Sequence, residues 1–144
     1  MKNRDQIRAH NALLHKDRIK DSQGGGDPIS GFPMLVLTDG LLAALTFACE
    51  WKELKSPPRS PDEGLHRCER TNGRERWHER KHPGEFTVAR AIAEHLNCER
   101  NRILETTDPD GQLQELASAE TDRLLRRATA ETLAFLNYLK RYVA

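Results

Sequence analysis

Apolar residues along this chain recur mostly at helical spacing. The clearest case is the run from Arg123 to Ala144, RLLRRATAETLAFLNYLKRYVA. There Leu125, Ala128, Thr132, Phe135, Leu139 and Tyr142 step by three and four, with Leu136 and Val143 adjoining. Such a stripe is one face of a long helix that buries in a helical core. Upstream, Val88, Ile92 and Leu96 predict a helix over 86–96. Leu41, Leu45 and Ala48 predict another over 41–54, flanked by Leu42 and Phe47. Pro33 suits the first turn of a short helix over MLVLTD. Asp108-Pro109-Asp110-Gly111 reads as a turn, and a helix from about Leu113 to Ala119 leads into, or is continuous with, the last one. A first helix over 4–20 is poor in apolar residues. It has Ile7 and Leu14, with Leu13 and alanines beside them, and Asn3 with Gln6 forms a capping box at its start.

Sustained strand alternation is not visible, and no internal repeat stands out. The expected fold class is all-α, a compact multi-helix bundle with short connecting loops and one charged surface insertion. Gly24-Gly25-Gly26-Asp27-Pro28 is a flexible turn, and Ser56-Pro57-Pro58-Arg59-Ser60-Pro61 cannot continue a helix. Residues 62–82 are highly charged and nearly free of aliphatics, and Pro83-Gly84 closes them. The expectation is one domain over 1–144, with a flexible insertion at 56–83 that is partly helical at most.

A length of 144 residues supports one domain with a real core. Cys49, Cys68 and Cys98 are odd in number and scattered, so they form no disulfide framework and suit a reducing compartment. Neither a membrane-spanning apolar run nor a signal peptide is visible, so a soluble cytoplasmic protein is expected. The formal net charge is only +1, but the charges are segregated. Residues 2–20 carry six bases and two acids, 108–122 carry five acids and no base, and 123–144 are basic again.

On a helical wheel, Arg123, Arg126, Arg127, Asn137, Lys140 and Arg141 fall within an arc of about 140° opposite the apolar stripe. Tyr138 lies at its edge, and Glu131 is the one acid nearby. Cations with an amide and an aromatic neighbour suit a phosphate backbone, which needs counterion replacement plus hydrogen bonding or stacking. A solvated face favoured by the helix dipole accounts for Lys140 and Arg141 but not for the three arginines near the helix start. The first helix repeats the idea with Arg4, Arg8, Asn11, His15 and Arg18 at seam spacing. That stripe fits either docking to an anion or a peripheral helix laced by local ion pairs.

Motifs for chemistry are sparse. The glycine triplet lacks a following Lys-Ser/Thr, so it is no phosphate loop, and there is no nucleophile elbow. Cys49 reads as a small buried hydrophobe. In the insertion, His66, Cys68, His78 and His82 include borderline-soft zinc ligands, and a helical turn would align His78 with His82. No CxxC half-site accompanies them. Arginines interleaved with Trp77 give the same segment an alternative reading as an RNA-tracking loop.

Three segments together resemble a known family. RDQIRAH at the start, FPMLVLTDGLLAALTFA in the middle and RRATAETLAFLNYLKRYVA at the end are similar to the small subunit of type III-B CRISPR effector complexes. This is the fifth protein of the Cmr module, in the "Cas eleven" group. The matching positions are Arg4-Asp5-Gln6, Gly40-Leu41 with Leu45-Thr46-Phe47, and Thr129, Glu131, Leu133, Phe135, Leu136, Tyr138, Leu139, Lys140 and Arg141. Tyr138 stands where the family often has Trp, and 56–83 has no counterpart. The resemblance implies a non-catalytic helical subunit without cofactors. Its copies would stack into a minor filament beside the backbone filament and the large polymerase-like subunit, lining a channel for crRNA and target RNA in antiviral defence. Arg4, Arg8, Arg18, Arg123, Arg126, Arg127, Lys140 and Arg141 are the residues expected to meet RNA. The rival expectations are a helical protein–protein adaptor without RNA contact, and a small metal-binding protein built on His66, Cys68, His78 and His82.

Overall fold

The computed structural model describes residues 3–21, 28–56, 66–71 and 73–143. The glycine turn at 24–26 and the prolines at 57, 58 and 61 lie outside them. Six α-helices among these residues make up most of the fold, in keeping with the helical bundle expected: α1 (Arg4–Asp21), α2 (Pro28–Asp39), α3 (Leu41–Ala48), α4 (Pro83–Asn97), α5 (Pro109–Ala117) and α6 (Asp122–Val143). A 3-10 turn, Glu99–Asn101, follows α4.

Local chemistry explains most helix ends. At the start of α1, the Asn3 amide donates to Gln6 Oε1 and the Gln6 amide donates to Asn3 Oδ1, both at 2.9 Å. This is the reciprocal capping box. Gly40 joins α2 to α3 with a φ of 93°. Its N–H closes α2 on Val36 O and its C=O accepts from Ala44 to open α3. A side chain would strain that backbone. Asp108 caps α5, accepting from the Gly111 amide at 2.7 Å, so residues 108–111 begin a helix where an isolated turn was expected.

Other boundaries differ from those expected. α2 begins at Pro28, which takes the N-terminal proline position expected of Pro33, while Pro33 sits inside the helix. α3 stops at Ala48, because the chain turns at Cys49 and enters a strand. α5 and α6 are separate helices, broken across 118–121. The core gathers Phe32, Leu41, Leu45, Ile92, Phe135 and Leu139 from four helices. Leu14 does not join it; at 66% exposure it faces out, and Ile7, Ala12 and Ile19 carry the buried side of α1. Leu125 and Tyr142, expected in the α6 stripe, are only half-buried.

The main departure is a three-stranded antiparallel sheet in the order β1 (Trp51–Glu53), β3 (Arg74–Arg80), β2 (His66–Thr71). The charged insertion, expected to be partly helical at most, therefore contains a hairpin. Gly73 at φ 76° lies in its turn. The strands show no apolar/polar alternation in sequence, and a charged side chain anchors the sheet. Arg80 is buried, its guanidinium stacked 3.7 Å from the Trp51 ring centre and 3.9 Å from that of Phe86. Its Nη atoms donate to Cys49 O at 2.8 Å and to Asp110 at 3.1 and 2.6 Å. A planar fork between two rings satisfies charge and packing together.

Replacing Arg80 with Ala should destabilise the protein by about 2 kcal/mol, below the range for a fully buried pair because Asp110 is 49% exposed. Arg80→Lys should not recover the loss, since an ammonium cannot make the bidentate, stacked contact. Urea unfolding midpoints of the two variants check this.

Candidate nucleic-acid interface

The basic arc of α6 survives folding. Arg123, Arg126, Arg127, Lys140 and Arg141 are all exposed. Arg126 reaches Asp122 at 3.2 Å across a solvated pair, which is worth little. Among the described residues, Arg123, Arg127, Lys140 and Arg141 have no acidic partner. α1 packs along α6 and supplies the other wall of a groove. One recess in this groove, of about 150 Å3, is lined by Arg4, Arg8, Ile103, Arg127, Ala130 and Glu131. A second, of about 240 Å3, is lined by Asp5, Arg8, Ala134, Asn137, Tyr138 and Arg141.

Arg8 sits between the recesses, but its charge is engaged. Nε and Nη2 donate to Glu131 at 2.9 and 2.7 Å, and Nη1 donates to Asp5 at 3.0 Å. Its side chain is 17% exposed and that of Glu131 only 5%. Glu131 Oε1 also accepts from Asn101 Nδ2 at 2.9 Å and lies 2.9 Å from His95 Nε2. A carboxylate only accepts, so His95 Nε2 carries the proton, leaving Nδ1 to accept from Asn11 Nδ2 at 2.8 Å. The imidazole stacks on Phe135, with ring centres 4.2 Å apart. Burial alone would raise the Glu131 pKa; hydrogen bonds from His95 and Arg8 outweigh it and hold the carboxyl well below its usual range.

The polar stripe predicted on α1 therefore faces inward. Arg8 meets Glu131, Asn11 meets His95, and His15 contacts Glu94 at 2.9 Å. Burial lowers the His15 pKa against the opposing pull of Glu94. Arg18 lies 3.8 Å from the same Glu94, so it sits at α4 and not in the groove. The pattern missed Glu131 as an anchor, together with His95 and Asn101. The available signal was a lone acid at the border of the α6 apolar stripe, where a solvated role would be unusual.

The helical turn expected to align His78 with His82 does not form. His78 lies in β3 and pairs in register with Arg67, while His66 and Cys68 pair with Glu79 and Trp77. His82 precedes α4 and stacks on Phe47, with centres 3.7 Å apart. Among the described residues no group of three or more potential ligands has metal-binding geometry. Cys49 is buried as expected, and burial, with Asp110 nearby, pushes its thiol up to about 12.

The described residues thus form a helical bundle with a groove bordered by Arg4, Arg127 and Arg141, and none of its helices is long and apolar enough to cross a membrane. The family model described as CRISPR-associated protein (Cas_Cmr5) matches residues 6–144, and the chain belongs to that family. It is thus a CRISPR-associated subunit of the Cmr complex. No curated protein and no solved structure matches the chain.

A depressed carboxylate pKa adds stability that is complete above about pH 4.3 and is lost as the pH falls toward the folded-state value. Glu131→Gln should therefore flatten the acid limb of a stability–pH profile. Arg8→Ala, which leaves the buried carboxylate with His95 and Asn101 but without its cation, should cost about 3 kcal/mol at neutral pH. Denaturant unfolding between neutral and acid pH measures both.

Proposed function

We propose that the protein is a non-catalytic small subunit of a cytoplasmic type III-B antiviral complex. Its copies stack as a minor filament and hold crRNA and target RNA through the α1/α6 groove. The observation that carries this reading is a set of exposed α6 cations without an acidic partner among the described residues: Arg127 and Arg141 border a groove whose floor is already ion-paired, and Arg123 and Lys140 lie on the same helix. Free cations are available to replace counterions on phosphates, and a rigid floor keeps them in register. Arg4 adds a cation from α1. Arg8 serves mainly to position α1, since two carboxylates already engage it. Arg126 is loosely paired and remains available, whereas Arg18 belongs to a separate surface.

Contacts of this kind read no sequence; guide–target pairing supplies specificity in RNA-guided complexes. Assembly with the other subunits has support of its own in exposed Leu13 and Leu14 on α1 and Met34 and Leu37 on α2. Apolar side chains gathered on a helix surface suit protein contacts. A pure adaptor would use these surfaces and leave the arginines without RNA.

Target-RNA retention by complexes reconstituted with Arg127→Ala, Arg123→Ala and Lys140→Ala separates the two. Removing one cation from a phosphate should lower the slope of log affinity against log salt by about 0.7–0.9. Unchanged affinity and slope in an intact assembly would leave the adaptor reading.

A further inference from the structure

The two recesses of the α1/α6 groove differ in chemistry. Arg4 and Arg127 border the smaller one. The larger one contains a carboxylate, Asp5, beside Arg8, Asn137, Tyr138 and Arg141. Summed with buried Glu131, which neutralises Arg8 from below, the two arginines and two acids carry no net charge. A phosphate entering here would meet the Asp5 carboxylate without surplus cation to offset it. A neutral group with mixed donors and acceptors fits better.

The walls specify more. Ala134 leaves room between the helices, and the half-buried Tyr138 ring gives an apolar side. Asn137 is exposed, and its side-chain amide makes no hydrogen bond among the described residues. Asp5 Oδ1 accepts from Arg8, and the Tyr138 hydroxyl also lies against this exposed carboxylate, whose remaining lone pairs can accept from a ligand. An acceptor pair beside donors from Asn137 or Arg141 complements the Watson–Crick edge of guanine, whose N1–H and N2–H lie next to O6. Uracil places one N–H between two carbonyls, so a carboxylate meets it poorly.

We propose that this recess is a base pocket that takes one unpaired nucleobase and prefers guanine over uracil. Asp5 accepts from the base edge, Asn137 and Arg141 donate to its carbonyl, and Tyr138 walls the ring. This rests on the RNA reading above: the free arginines take the backbone, and the recess takes a base turned out of it. Aromatic walls beside bases are a common source of single-strand affinity.

NMR titration of the full chain with guanosine monophosphate, uridine monophosphate and ribose 5-phosphate tests the proposal, with oligouridylate binding followed on the same samples. Guanosine monophosphate should shift the amides around Asp5, Asn137, Tyr138 and Arg141 and bind about tenfold tighter than uridine monophosphate. Asp5→Asn should remove that preference while leaving the thermal midpoint and oligouridylate binding intact. If ribose 5-phosphate shifts the same amides as strongly, the recess is a phosphate site and the proposal is wrong. If guanosine monophosphate leaves them unmoved while oligouridylate binds and Arg127→Ala weakens it, the base pocket falls and the RNA reading stands. Binding of none of these probes would overturn both.

Discussion

A carboxylate placed inside a helical bundle destabilises it unless its lone pairs find donors, and Glu131 finds them on three other segments. Arg8 comes from α1, His95 from α4 and Asn101 from the 3-10 turn. One side chain of α6 thereby fixes where three elements sit against it. α1 depends on it most, because its buried apolar content is confined to Ile7, Ala12 and Ile19. The groove between α1 and α6 exists where it does because this network sets their packing. Its floor is electrically satisfied, while Arg127 and Arg141 on its rim have no acidic partner among the described residues.

The sheet is attached by the same logic at the other end of the charge scale. Arg80 is a buried cation held by Asp110, a backbone carbonyl and two aromatic faces. Neither hinge of the fold is an aliphatic cluster, although the centre of the bundle is. A protein with 31% charged residues can thus order its periphery by pairing specific charges, provided the geometry is bidentate or stacked. Such contacts fix orientation more strictly than apolar packing does, which suits a subunit that presents a surface to partners.

The α6 stripe, the capping box at Asn3 and Gln6 and the helical class were legible because they depend on local spacing. The basic arc was legible for the same reason. The hairpin was not: strand signals in His66–Thr71 and Arg74–Arg80 are masked by charge, and the contact that stabilises β3 comes from Trp51 and Phe86, outside the hairpin. The orientation of α1 was hidden too. Its polar residues at seam spacing looked solvent-facing, and Leu14 looked buried, because hydrophobicity was the only guide to inside and outside.

The sequence by itself determined the helices, the opposed faces of the C-terminal one and the family, since periodicity and motif are properties of residues near one another in the chain. Only the tertiary structure decided which charges were left over. Arg8 and Arg127 are the same residue type on facing helices. One is neutralised by a carboxylate that lies 123 positions away in the chain, and the other has no such partner among the described residues. Ion pairing acts over a few ångströms of space and takes no account of chain distance, so the difference in pairing between two arginines appears only when the helices meet.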